Sequence, residues 1–328
     1  MIYSYGISME GTYHIKKSIP CQDYHHIVKC DDNFVIAAVA DGLGSAAHSD
    51  IASKIAATVS VDYCAEKITQ PVETDIVLSV MREAFGAAQN SIERKAQDNG
   101  HSINEYDTTL TLAVMNNDML YFGHSGDSGI IALTVDGLYE QVTEQQRDDD
   151  DRVFPLFFRD YWVFGLYEKK VCSVLLATDG IFETFFPFYI RNAPVNIHVA
   201  LARFFMDNSV LLIDKVGEAD IRAQMEEFIL NIPDAQVNDD KTVVVLVNAS
   251  INPTLQPEEY YIEPDWDELK RKHDEEWTRL AYPHLFKAED EAADEALDSK
   301  TVMDSDEALD SNDDESGCRP TEEENQST

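Results

Sequence analysis

Positive charge is scarce in this sequence. Lys and Arg number 25 against 62 Asp and Glu in 328 residues, a net charge of -37. Binding to a phosphate backbone draws on Lys and Arg, so this balance argues against nucleic acid and anionic membranes as partners. Cysteine is sparse too. Cys21, Cys30, Cys64, Cys172 and Cys318 form no C-x-x-C pair, and no His stands at zinc-ligand spacing. They read as reduced thiols of a cytoplasmic protein. No apolar run approaches the length of a membrane span. Met1–Gly6 lacks the charged-then-apolar pattern of a secretory signal.

What is present is divided unevenly. Residues 251–328 hold 25 acidic and 7 basic side chains, and the other 250 residues hold 37 and 18. Hydrophobic residues make up 44% of the chain, ample for one large core in residues 1–250. After Asn252-Pro253 the chain becomes a linker, 251–288. Trp266, Leu269, Trp277 and Leu280 stand there at spacings that suit one amphipathic helix. Residues 289–328 carry 16 acidic against 2 basic side chains and repeat Asp-Glu-Ala-Leu-Asp-Ser at 294–299 and 306–311. This composition is that of a disordered acidic tail, suited to solubility or to docking a basic partner.

Within the body, residues 2–8 are expected to form a first strand, followed by a polar loop to Cys21-Gln22-Asp23. An unbroken apolar run, Phe34–Ala40, is expected to be a buried strand ending in Asp41-Gly42. Helical spacing follows from Ser49 (Ile51, Ile55, Val59, Tyr63) and from about Glu73 to Ala96, with Gly100 as the stop. Two hairpins are expected, Thr108–His124 turning at Asn116–Asp118, and Ser128–Thr143 turning at Asp136-Gly137. The acidic cluster Asp148–Asp151 opens an irregular, aromatic-rich segment and reads as a solvated loop. A strand at 171–178, helices near 195–207 and 216–230, and a last strand at 241–248 complete the body. This element order predicts an α+β fold, two antiparallel sheets face to face with helices on their outer faces.

One device recurs. Asp41, Asp127, Asp179 and Asp239 each stand at a strand end, three of them beside glycine. A lone Asp-Gly is normally only a turn. Four such carboxylates spread over two hundred residues have one economical explanation, convergence on hard cations. Mg²⁺ and Mn²⁺ prefer oxygen ligands, and two ions about 4 Å apart suit the hydrolysis of a phosphate ester. The carbonyls of Gly42 and Gly180 are further potential ligands. Cys21 has no base partner and is not expected to be a nucleophile.

The set Gln22-Asp23, Asp41-Gly42-x-Gly44, Thr108-Thr109-Leu110, Gly126-Asp127-Ser128, Thr178-Asp179-Gly180 and Asp239-Asp240-Lys241-Thr242 resembles the bacterial branch of the PP2C (PPM) metal-dependent protein phosphatases. The resemblance covers about residues 1–250. It implies a four-layer α-β-β-α sandwich with two, or even three, Mn²⁺ or Mg²⁺ ions in the cleft between the sheet edges. By that resemblance Asp41 bridges two ions, the Gly42 carbonyl supports one, and Asp179 and Asp239 hold the other. Asp23 orients water at the metals, and Asp127 with Asp179 forms a weaker third site. Where many relatives place a His two residues after the first motif Asp, this chain has Leu43. An Arg that many place before Asp23 is also missing. His14, ahead of His48, is a candidate for binding phosphate or supplying a proton; the alternative is that both are loop histidines and water protonates the leaving group. The expected activity is hydrolysis of phosphoserine and phosphothreonine in a phosphorylated protein substrate. Two other readings are a catalytically weak module that binds phosphoproteins and a phosphatase of small metabolites on the same centre.

Overall fold

The computed structural model describes residues 1–70, 72–190 and 196–285. The strands are β1 Ile2–Met9, β2 Asp23–Asp31, β3 Phe34–Asp41, β4 Leu110–Asn116, β5 Met119–Ser125, β6 Gly129–Thr134, β7 Tyr139–Gln141, β8 Val163–Leu166, β9 Val171–Ala177 and β10 Lys241–Asn248. The helices are α1 Thr12–Lys17, α2 Ser49–Lys67, α3 Thr74–Asn99, α4 Asp179–Phe185, α5 Val199–Met206, α6 Asn208–Leu211, α7 Ile213–Val216, α8 Glu218–Leu230 and α9 Trp266–Ala281. One sheet has the order β1-β10-β9-β6-β7 and the other β2-β3-β4-β5-β8, and all neighbours are antiparallel.

Side chains on a strand alternate between its two faces, and β3 is covered on both. Phe34, Ile36, Ala38 and Ala40 pack under α2 and α3, and Val35, Ala37 and Val39 fill the space between the sheets. Strand β10 divides in the same way. Val243, Val245 and Val247 face the layer that holds α4, α5 and α8, while Val244 and Leu246 meet the opposing sheet. Both strands therefore read as continuous apolar runs and not as alternating ones. The α2 face against the sheet is small, with Ala52, Ser53, Ala56, Ala57 and Ser60 buried, so helix and sheet approach closely. The result is the expected α+β sandwich of two antiparallel sheets between helical layers.

Three elements differ from the sequence expectation, one of them β8, which pairs with β5 inside the segment expected to be irregular. Strand β2, where no element is expected, runs along the sheet edge with most of its side chains half-buried and a register shift between Lys29 and Asp31. An edge strand has one hydrogen-bonded neighbour, and polar partners in the adjoining layers, Ser8 for His25 and Asp62 for His26, let these residues interrupt the apolar signal. The loop expected before Cys21 contains α1, whose six residues are too few to show a period. Ser18 ends it in the left-handed conformation.

By its contacts the chain divides into Met1–Pro264 and Asp265–Thr328. In the second unit, Asp265 accepts a hydrogen bond from the Glu268 N–H to cap α9. Arg271 pairs along that helix with Glu268 and Glu275. Trp277 and Leu280 on it are exposed. The acidic tail, 289–328, lies outside the described residues. No described helix is long and apolar enough to cross a membrane.

Candidate metal centre

The strand ends of both sheets meet at one edge of the sandwich. Pairing of β2 with β3 sets Asp23 directly opposite Asp41, a like-charge pair that is unfavourable unless a cation or proton offsets it. Asp23 is buried and accepts a hydrogen bond from Thr178 Oγ1 at 2.7 Å. The backbone of Asp41 is clamped to the two residues ahead of β4: its N–H donates to Thr109 Oγ1 at 2.9 Å, and its carbonyl accepts from Thr108 Oγ1 at 2.9 Å and Thr109 N at 2.7 Å. Gly42 follows in so tight a space that a Cβ there would lie 2.6 Å from the Ser49 carbonyl oxygen. Asp179 opens α4 directly after β9. A Cβ on Gly180 would lie 2.3 Å from the Asp240 carbonyl oxygen, so glycine lets α4 sit against the start of β10.

The carboxylates form two adjoining groups. Asp41, Asp127 and Asp179 place one oxygen each within 4.8 Å of one another, and His14, Asp239 and Asp240 do the same with one ligand atom each. Residues of both groups, with Gly42, Leu43 and Val153, line a cavity of about 160 Å³. Of the residues singled out from the sequence, His14, Asp41, Gly42, Asp127, Asp179 and Asp239 share this cavity. Asp23 lies outside its lining, against Thr178.

Electrostatics show what the site lacks. Burial, then the neighbouring Asp23, Asp179, Asp127 and Asp239, holds the Asp41 carboxyl well above the usual carboxylate range. Asp23 is raised in the same way, by burial and then by Asp240 and Asp179. Asp179 is pushed up to about 7, by burial first and then by Asp127, Glu183 and Asp239. Asp127 Oδ1 is buried without a hydrogen-bond partner among the described residues. Converging hard oxygen donors with uncompensated charge and an orphaned carboxylate oxygen fit Mg²⁺ or Mn²⁺.

Asp239 and Asp240 divide their roles. The Asp239 side chain is 61% exposed at the cleft, and the Asp240 side chain is 4% exposed. Asp240 accepts from the Gly11 N–H at 2.7 Å and the Gln22 N–H at 2.6 Å, tying the loops around α1 to β10. His14, buried on α1, lies with Nδ1 3.0 Å from Asp240 and Nε2 3.4 Å from Asp239. These are ion-pair distances without hydrogen-bond geometry, and Nδ1 has no hydrogen-bond partner among the described residues. His48 is elsewhere, stacked on His101 with ring centroids 4.3 Å apart. One participant has no signal in the sequence motifs. Arg147 reaches in from the segment after β7 and pairs with Asp127 at 2.8 Å. Its only sequence cue is that it is a cation ahead of four consecutive aspartates, which by itself reads as surface charge.

The profile of the family described as Protein phosphatase 2C matches residues 10–228, more than half of the chain, including Asp41, Asp127 and Asp179 but not Asp239 and Asp240. The chain is similar in structure to a bacterial serine phosphatase (15% identity, TM-score 0.53, covering 78% of this chain and 100% of that one). It is also similar to the serine/threonine phosphatase Stp1 from Staphylococcus aureus (15%, 0.53, 75% and 95%). A third likeness is to the catalytic domain of the serine threonine protein phosphatase PstP in complex with 2 manganese ions (17%, 0.50, 75% and 97%). At such identity these likenesses show the fold. A search of curated proteins gave no match. Fold, converging acidic groups and the profile match over residues 10–228 agree: the chain belongs to the protein phosphatase 2C family of metal-dependent serine/threonine phosphatases.

Proposed function

We propose that this cleft hydrolyses phosphoserine and phosphothreonine in protein substrates with Mn²⁺ or Mg²⁺ as cofactor. The observation that carries this reading is the convergence of Asp41, Asp127 and Asp179 within 4.8 Å. The manganese held by the structurally similar PstP supports the choice of metal. Asp41, the Gly42 carbonyl, Asp179 and Asp239 are the residues that would hold two ions, and Asp127 with Asp179 a third. Such ions, when bound, supply Lewis acidity and a hydroxide-like nucleophile near neutral pH. Asp23, fixed by Thr178, orients the attacking water. His14, held between Asp239 and Asp240, gives its proton to the leaving serine or threonine oxygen, a step that typically contributes about 10²–10⁴-fold. The net charge of -37 favours a protein partner over nucleic acid or an anionic membrane, and the acidic tail suits a basic docking partner. Cys21, Cys30, Cys64 and Cys172 are free thiols, which suits the reducing cytoplasm.

The test is hydrolysis of a phosphothreonine peptide with Mn²⁺, with Mg²⁺ and with EDTA. Turnover should need the metal and should vanish in Asp41→Asn and Asp179→Asn. Turnover that survives EDTA, or near wild-type rates in either variant at saturating Mn²⁺, would refute the assignment. A strong preference for small phosphorylated metabolites over the peptide would change the substrate class.

A further inference from the structure

Arg147 stands where the negative charge of the cleft is densest. Its Nη2 donates to Asp127 at 2.8 Å, to Glu183 at 3.1 Å and to Asp179 at 3.4 Å, and its Nη1 donates to Asp151 at 3.2 Å. Asp127 and Asp179 are also two of the three carboxylates whose oxygens converge within 4.8 Å. A divalent ion binds such oxygens at about 2.0–2.6 Å. A guanidinium hydrogen-bonded to Oδ2 of both Asp127 and Asp179 occupies one oxygen of each carboxylate, crowds that approach and repels the incoming charge.

The arm that carries Arg147 is anchored to the body at one end and turns back through an exposed tip, which Asp148 closes by accepting from the Asp150 and Arg152 N–H groups. Gln146 N donates to the Gly126 carbonyl at 2.8 Å, and Gln145 Nε2 donates to the Asp127 carbonyl at 2.8 Å, so the arm runs beside the Gly126-Asp127 turn. Beyond it the chain turns back through Asp148–Arg152 and pairs Arg147 with Val153, which lines the metal cavity. The tip residues Asp149, Asp150, Asp151 and Arg152 are exposed. Against four carboxylates one guanidinium is not enough. The carboxylates outnumber it, and Asp127 Oδ1, on a side chain only 3% exposed, still has no partner among the described residues. The arrangement keeps the metal-free cluster together yet leaves it attractive to an ion of higher charge.

We propose that Arg147 is a tethered cation that holds the Asp127–Asp179 pair until a divalent ion displaces it, and that filling this position releases the 147–153 turn from the cleft. The inference rests on the metal-dependent reading of the site given above. The affinity of the last ion is thereby set against the guanidinium, so this position fills only after the ions at Asp41, Asp179 and Asp239.

The experiment is titration of the full chain with Mn²⁺, followed by calorimetry and by paramagnetic resonance of the free ion. In Arg147→Gln the last ion should bind roughly tenfold or more tightly than in the wild type, because a competing positive charge is gone. Adding Asp127→Asn should cancel the gain. Arg147→Lys keeps the charge without the forked donors and should lie between. In EDTA, Arg147→Gln should melt below the wild type. Amide exchange over residues 145–154 should rise as the wild type takes its last ion and should be fast from the start in Arg147→Gln. Unchanged or weaker affinity for the last ion in Arg147→Gln would overturn the proposal, as would exchange over 145–154 that ignores Mn²⁺. Failure of the wild type and every variant to bind Mn²⁺ would instead bring down the metal-centre reading on which the proposal rests.

Discussion

Asp239 and Asp240 are chain neighbours whose replacement should have different consequences. Asp240 is buried and accepts from two backbone N–H groups. Its removal strands both donors, at a cost of about 1–3 kcal/mol, or more because the acceptor is charged. Asp240→Ala should therefore lower stability in urea with or without metal. Asp239 is exposed at the cleft, so Asp239→Ala should leave stability in EDTA nearly unchanged and weaken Mn²⁺ binding. The reverse pattern would exchange the two assignments. His14 touches both carboxylates, and its proposed proton matters most when the leaving group is poor. His14→Ala should cut turnover of a phosphothreonine peptide about 10²-fold or more and largely spare an aryl phosphate. Equal loss on both substrates through KM alone would make it a phosphate anchor.

At the level of elements, the site depends on strands buried on both faces. Leu246 on β10 is fully buried between the sheets, so Leu246→Ala should cost about 2–5 kcal/mol, read from urea unfolding. Gly180 is a different case, because a Cβ there meets the Asp240 carbonyl oxygen at 2.3 Å. That oxygen belongs to backbone and cannot swing aside. Gly180→Ala should push α4 away from β10 and weaken Mn²⁺ binding more than its effect on melting temperature would suggest. Strand β2 is one of the elements that sequence reasoning misses, yet it carries Asp23 to its place opposite Asp41.

For the molecule as a whole, the raised carboxyls tie folding to pH and to metal. In the metal-free protein Asp179 titrates near 7 in place of 3.8, and Asp41 and Asp23 are also raised. The folded state therefore keeps protons that the unfolded chain loses above about pH 4. The stability these groups contribute is full below that point and is lost as pH rises toward 7 and beyond. His124 acts in the opposite sense. Burial pushes it down to about 4 from 6.5, so its contribution is present above 6.5 and lost as pH falls toward 4. The melting temperature with Mn²⁺ minus that in EDTA cancels His124, and this difference should be larger at pH 7.5 than at pH 5.5. A difference independent of pH would mean that the cluster is not the metal site. Deletion of 289–328, too poor in apolar residues to repay ordering, should leave melting temperature and aryl-phosphate turnover unchanged.

Local chemistry made much of this protein legible before any coordinates. Unbroken apolar runs ending in Asp-Gly at 41 and 179, and the Asp239-Asp240 pair ahead of β10, announce buried strands with carboxylates at their exits, because backbone and side-chain preferences act over a few residues. The sandwich follows from the order of the elements. Tertiary structure alone decided which of two adjacent aspartates faces the cleft, and that His14, and not His48, stands beside it. It also brought Arg147 onto Asp127, twenty residues away. Such pairings depend on loop paths and register, where a shift of one residue turns a side chain to the opposite face, and no local preference records them.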